Sequence, residues 1–346
     1  MFQNLLNERY QVKGLIQYGI HRATGHKNKL ILLWFGLQNE SFLSCREKRC
    51  VTTIDRRMAN ISDAILFWGF RIRNKTEFLQ SLPKSRSPNQ VWIYNNGESQ
   101  TRSLNGNDIT FLNNLFNITH TFLQSSDLPV PYGYFVKKKR ITKDFTPPDF
   151  IKKRSKIVAW LVSHCGPPSH RQVFFAELKK HVQADAFGRC NHTAKCPEGK
   201  GKDCLKHISQ HYKFYFAAEN SLCKDYITEK LFRNAYKYGM VPIVYGGANY
   251  SAFLPPNSYI DVKDFSTPKE LGRYLRFLNE NDSIYNEYFQ WKSEYKLKQK
   301  GMAYCNVCEY LHKHPEPNPS HTDMHIFWNE KDCLSTDSYL NSIMSG

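Results

Sequence analysis

The chain has 346 residues, enough for two domains of ordinary size. Hydrophobic residues make up 41% and aromatics 14%, so each half can bury a core, which excludes a disordered or fibrous protein. With 48 basic against 31 acidic residues the net charge is +17, which calls for an anionic partner: nucleic acid, an acidic membrane surface or a phosphorylated substrate.

Residues 1–28 are polar and weakly periodic and read as an irregular lead-in. Lys29–Phe35, Asp63–Trp68 and Gln90–Tyr94 are continuous apolar runs of the kind that buried parallel strands show, with a helical segment over Lys75–Gln80. Buried strands with helical connections predict a first α/β domain over 29–136. Residues 137–156 hold the basic runs Lys137–Arg140 and Lys152–Arg154. Such runs resemble a nuclear address or a nucleic-acid patch, but Pro147-Pro148 between them favours a solvated linker, and no nucleic-acid-binding motif occurs. A second α/β domain is predicted over 157–300, with strands at Lys156–Ser163, Ala184–Phe187, Tyr212–Ala217, Val241–Tyr245 and Ser258–Val262 and helices at His170–His181, Asp225–Tyr238 and Pro268–Asn279. Two open α/β units in succession place a ligand cleft between their carboxyl ends. Residues 301–346 form a Cys-containing tail expected to pack back on the N-terminal domain.

Ten cysteines are present, several closely spaced. Cys305-Asn306-Val307-Cys308 admits zinc, but there is no second Cys-x-x-Cys, and His312 and His314 do not complete a standard finger. Asn39, Asn60, Asn74, Asn117, Asn191, Asn249 and Asn281 each open an Asn-x-Ser/Thr triplet without proline and are glycosylation candidates. Together these features favour a secretory compartment and disulfides over zinc. No apolar run approaches the ~20 residues of a membrane span, and no signal peptide is recognisable.

In the second half an apolar strand runs into Glu219-Asn220-Ser221, and a helix is expected to start at Asp225, a good N-cap residue. Ile227, Leu231, Ala235 and Tyr238 recur at helical spacing. A helix N-terminus behind a polar loop, with Lys230 in its first turns, suits a diphosphate. The alternative is an exposed Glu229–Lys230 helix pair. Neither Gly-x-Gly-x-x-Gly nor a Walker loop is present, so the signal is generic so far.

The wording of the segment is more specific. Glu219-Asn220-Ser221, Lys224–Leu231, Val241–Val244, Gly246–Tyr250 and Leu254-Pro255-Pro256 closely resemble the signature block of the α1,3-fucosyltransferases, glycosyltransferase family 10. The likeness spans most of residues 30–310 and thins in the N-terminal half. It implies an α/β fold of the GT-B type, two Rossmann-like domains facing a central cleft, with GDP-fucose as donor on the second. It implies inversion at the fucose carbon, with a glutamate general base matched by Glu98 in Asn95-Asn96-Gly97-Glu98-Ser99, although Gly97 and Gln100 depart from the pattern. Lys230 and Arg171 match the residues that meet the diphosphate; Tyr226 and Glu229 match the nucleotide and ribose lining; Glu219 and Asn220 match the loop near the fucose. No Asp-x-Asp occurs, so no obligatory metal or cofactor is expected. The acceptor is expected to be a glycan containing GlcNAc, either terminal N-acetyllactosamine or the innermost GlcNAc of N-glycans. The family also implies disulfides among Cys45, Cys50, Cys305 and Cys308 with pairing open, a Golgi lumenal location, and a membrane anchor that this chain lacks, by truncation or by an incomplete gene model. The rival reading is a catalytically inactive, lectin-like lumenal relative.

Overall fold

The computed structural model describes residues 28–36, 42, 45–104, 106–141, 145–146, 154–190, 194–196, 202–299 and 304–344. The lead-in through residue 27, the candidate sites Asn39 and Asn191, and linker residues 142–144 and 147–153 lie outside the described residues. The chain forms two units: one runs through Val130 and takes back the segment ending at Glu330, the other runs from Pro131 to Gln299 and again from Lys331. The C-terminal tail is thus divided between the two.

In the first unit five parallel strands, β1 (Lys29–Leu33), β2 (Cys50–Thr53), β3 (Ala64–Trp68), β4 (Val91–Asn96) and β5 (Ile118–Thr121), lie in the order β2-β1-β3-β4-β5. Apart from Lys29 at its edge, β1 is apolar, as is all of β3, because both faces of a parallel sheet are covered. On one face the Phe67 ring meets Trp34, Phe78, Trp92 and Phe116 at centroid distances of 5.1–6.0 Å. The helix Lys75–Ser81 begins where the Asn74 side chain accepts from Glu77 N, at 3.0 Å. β2 and β5 escape a search for apolar runs because their sequences, CVTT and ITHT, are polar. In β5 those polar groups are buried and satisfied: Thr119 Oγ1 donates to Asp127 Oδ2 at 2.6 Å, and Thr121 Oγ1 lies 2.6 Å from Ser126 Oγ.

The helix Cys305–Lys313 packs Val307, Cys308 and Leu311 into the same core as Ile31, Leu33 and Ile93. It is fastened by Cys45–Cys305 and Cys50–Cys308, with Cα separations of 5.4 and 5.9 Å. Zinc is thereby displaced as a reading: the grouping with ligand spacing among the described residues, Cys50, Cys308 and His312, contains two sulfurs already bonded to each other. Closing a loop of this length removes about 5 kcal/mol of unfolded-state entropy in the chain-entropy model.

Asn117 is corrected as a glycan acceptor. It is 4% exposed; its Oδ1 accepts from Trp92 N at 2.8 Å and from Arg86, and its Nδ2 donates to Asn318 O at 2.6 Å. Asn60, Asn74 and Asn249 are exposed, and Asn281 is partly so. The returning segment is held by a second polar lock, His321 Nε2 donating to Asp127 Oδ2 at 2.8 Å. Burial works to raise the Asp127 pKa, but hydrogen bonds from His321 and Thr119 outweigh it and hold the carboxyl at about 2. The same bond raises His321 above its ordinary value of 6.5. This lock is complete below pH 6.5 and weakens as pH rises through the raised His321 value; at the acid end it is lost below the ordinary carboxylate range, toward pH 2. An NMR titration is expected to place the His321 imidazole above 6.5, and Asp127→Asn is expected to return it to about 6.5.

In the second unit β7 (Lys156–Val162), β8 (Ala184–Gly188), β9 (Tyr212–Ala218), β10 (Val241–Tyr245) and β11 (Ile260–Asp261) form a parallel sheet in the order β11-β10-β9-β7-β8. Counted from its own first strand, this is the same order as in the first sheet. The strand order reverses between β7 and β9, the switch point at which open α/β sheets take ligands. Phe216, in the middle of β9, meets Trp160, Phe174, Phe175 and Tyr245 at 5.4–5.9 Å. The helix Pro268–Glu280 starts as the sequence indicates, with Thr267 accepting from Glu270 N and proline in its first turn. A two-stranded antiparallel ribbon, β6 (Gly133–Lys137) with β12 (Tyr295–Gln299), completes the unit. Lys137 of the first basic run therefore lies in a strand, paired with Tyr295. Three disulfides belong here: Cys165–Cys190, Cys196–Cys204 and Cys223–Cys333. Among the described residues no helix is long and apolar enough to cross a membrane.

Candidate active site

All seven residues of β9, the central strand, are buried, and the chain then turns at Glu219. Glu219 stays inside at 1% exposure. Its Oε1 accepts from Thr228 N at 2.8 Å and Thr228 Oγ1 at 2.9 Å, and its Oε2 lies 2.9 Å from Lys230 Nζ. Burial raises the Glu219 pKa, with the Lys230 charge acting against it. Lys230 Nζ also donates to Thr228 Oγ1 at 2.8 Å and faces Glu229 Oε1 at 3.5 Å. Burial would lower the Lys230 pKa, but the charges of Glu219 and Glu229 outweigh it, so the ammonium holds its proton more tightly than usual.

Arg171 opens the helix Arg171–Leu178 just after β7 and is 3% exposed. Its Nη1 donates to Ala218 O at 2.6 Å and its Nη2 to His164 O at 3.3 Å, so the guanidinium joins the carboxyl ends of β9 and β7. Its face lies 5.5 Å from the Trp160 ring. Arg171 is within electrostatic reach of Glu219, Tyr226 and Glu229. Five of the six donor-side residues singled out in the sequence are thus gathered at the switch point. The sixth, Asn220, adjoins them: its carbonyl accepts from Ser169 N at 3.3 Å, and its buried Oδ1 has no hydrogen-bond partner among the described residues.

Sequence reasoning missed the supports. Ser169 Oγ donates to Glu219 O at 2.8 Å, and Tyr245 OH donates to Ser169 O at 2.6 Å, tying the segment before Arg171 to both β9 and β10. Beyond the loop, Cys223 is bonded to Cys333 and paired with it as an antiparallel bridge, with Lys224 N donating to Asp332 O at 2.8 Å. This clamp corrects the expected helix start. Asp225 has φ of 57°, outside the range of an N-cap, and the helix runs over Lys230–Lys237 instead. It is wound in the wide π manner, and Met240 N reaches back to Ala235 O at 3.1 Å. Gly247 permits the close approach of strand end and loop: a Cβ there would lie 2.0 Å from Leu222 O. Beside Arg171 a cavity of about 410 Å³ opens, lined by Trp160, Val162, His164, Gln172, Arg189 and the Cys165–Cys190 bridge. Glu98 is in the other unit, half-buried in the turn after β4, where its N–H donates to Asn96 Oδ1 at 3.0 Å.

Two family descriptions match the chain: "Fucosyltransferase, N-terminal" over residues 26–133, and "Glycosyltransferase family 10 (fucosyltransferase) C-term" over residues 151–326. The chain belongs to glycosyltransferase family 10. Among family 10 proteins it is similar to Alpha-(1,3)-fucosyltransferase fut-1 of Caenorhabditis elegans, 32% identical over 329 residues, which cover 90% of this chain and 72% of that one. The 4-galactosyl-N-acetylglucosaminide 3-alpha-L-fucosyltransferase 9 of Rattus norvegicus is 33% identical over 323 residues, covering 89% of this chain and 85% of its own. In fold the chain is similar to a crystal structure of an α1,3-fucosyltransferase with GDP-fucose, with a TM-score of 0.54 at 17% identity over 83% of this chain and 89% of that one. Two parallel α/β units in one chain agree with the GT-B type of family 10.

Glu219 is the keystone of the family 10 loop in this chain. Glu219→Ala leaves the Lys230 ammonium without its buried counter-charge and is expected to destabilise the second unit by about 3–5 kcal/mol, measured by denaturant unfolding. Gly247→Ala is expected to displace the loop and weaken GDP binding by roughly tenfold or more in calorimetry, about 1.4 kcal/mol.

Proposed function

We propose that the chain is an inverting α1,3-fucosyltransferase that transfers fucose from GDP-fucose to a GlcNAc-containing glycan in the Golgi lumen. The observation that carries the reading is the Lys230 ammonium, held on the Glu219–Thr228 platform at the switch point beside Arg171, in a chain of family 10. The diphosphate of the donor lies against Lys230 and Arg171, and the adjoining cavity suits the nucleotide's base. Glu98, whose unit also carries the acceptor, takes the proton from the acceptor hydroxyl. The hydroxyl oxygen bonds to the anomeric carbon as the bond to GDP breaks, so the β-linked fucose of the donor becomes α-linked. Negative charge grows on the departing diphosphate, where a preformed cation needs little reorganisation. The name of the rat relative, a 4-galactosyl-N-acetylglucosaminide fucosyltransferase, supports an acceptor of the N-acetyllactosamine type. Five disulfides support an oxidising, lumenal compartment.

Incubation with labelled GDP-fucose and a panel of GlcNAc-containing acceptors is expected to give an α1,3-linked product, undiminished by EDTA. Lys230→Ala and Glu98→Gln are each expected to lower kcat by about 100-fold or more. Full activity in either variant removes that residue from the mechanism. Donor binding without turnover on any acceptor assigns the chain to the lectin-like reading.

A further inference from the structure

β4 ends in Asn95-Asn96, and the turn that follows carries Glu98. Neighbouring side chains of a strand face opposite sides, and here both are held. Asn96 is fully buried; its Oδ1 accepts from Glu98 N at 3.0 Å, and its Nδ2 donates to Tyr94 OH at 3.2 Å. On the other face Asn95 stands in register with His120 of β5, and its Oδ1 lies 2.7 Å from His120 Nδ1. His120 is fully buried, and its Nε2 lies 3.0 Å from Asn306 Oδ1. Asn306 sits between Cys305 and Cys308, the two cysteines that fasten its helix to the sheet.

The hydrogen bonds orient the ring. Asn306 Oδ1 also accepts from Val307 N at 3.0 Å, which identifies that atom as the oxygen. His120 therefore donates from Nε2. Its Nδ1 faces a second amide oxygen, Asn95 Oδ1, so the two amides grip the ring at both nitrogens. The result is a chain of polar groups centred on the buried His120, running from a disulfide-fastened helix to Asn95 in β4, three positions before Glu98.

We propose that His120 is a positioning residue for acceptor activation: with Asn95 and Asn306 it fixes the turn that carries Glu98 relative to the helix Cys305–Lys313. The proposal rests on Glu98 being the base. A general base loses its effect when displaced by a fraction of a bond length, and turns gain such precision only from supports of this kind. The relay acts through geometry. Its loss slows transfer and leaves donor affinity, a property of the second unit, unchanged.

The test uses Asn306, which is half-exposed. Asn306→Asp keeps an acceptor oxygen for His120; Asn306→Leu removes it. Asn306→Leu is expected to lower kcat for transfer at least tenfold, with the KM for GDP-fucose and the melting temperature unchanged, while Asn306→Asp stays within twofold of the parent. Equal kcat in Asn306→Leu and the parent overturns the relay, as does an equal loss in both variants or a loss expressed in donor KM. Glu98→Gln is measured alongside. If it is inactive while Asn306→Leu is fully active, the relay fails and the base stands; if it is fully active, the base assignment fails first.

Discussion

A carboxylate buried at the end of the central strand of a parallel sheet needs all of its partners at once. Glu219 has them: the Thr228 amide and hydroxyl, and the Lys230 ammonium. Removing one partner leaves the others unsatisfied in a poorly solvated place, so the strand end, the loop and the start of the helix behave as one object. The backbone of the same residue extends the tie, since its N–H donates to Tyr245 O and its carbonyl accepts from Ser169. Two strands, the segment before Arg171 and the first turn after the loop all meet on one side chain and its peptide groups.

That arrangement explains how cations can be stored at the switch point of the sheet. Lys230 and Arg171 are both largely removed from water, which by itself opposes their charge. Lys230 is kept charged by two carboxylates, and Arg171 by carbonyls at the ends of two strands, the face of Trp160 and the intrinsic basicity of guanidinium. A site built this way presents positive charge without the side-chain freedom of surface lysines. The disulfide Cys223–Cys333 adds a covalent limit on how far the loop can open.

The two units share a strand order but differ in what secures them. The second relies on an aromatic cluster around Phe216 and on the buried ion pair. The first draws its fastening from the far end of the chain: two disulfides and the His321–Asp127 bond hold a segment that returns some 190 to 260 residues later. Both of its less apolar strands, β2 and β5, lie at the sheet's edges, and the polar groups of β5 are answered by side chains that only the folded chain supplies.

Apolar runs in the sequence located β1, β3, β4, β7, β9 and β10, because a parallel strand covered on both faces is mostly hydrophobic. The motif around Glu219 and Lys230 likewise marked a cluster that the fold brings together, since its members are near one another in sequence. What the sequence could not display were facts of long-range partnership. CVTT and ITHT became strands because neighbours elsewhere in the chain buried them. Asn117 carries a glycosylation triplet but spends its amide on Trp92, Arg86 and Asn318. The helix predicted from Asp225 starts at Lys230 because the Cys223–Cys333 clamp is followed by a turn in which Asp225 has a φ of 57°. Sequence alone determined which residues are charged, apolar or reactive, and hence the family; the tertiary structure decided which of those groups are buried together, because burial and hydrogen-bond satisfaction depend on partners brought from distant parts of the chain.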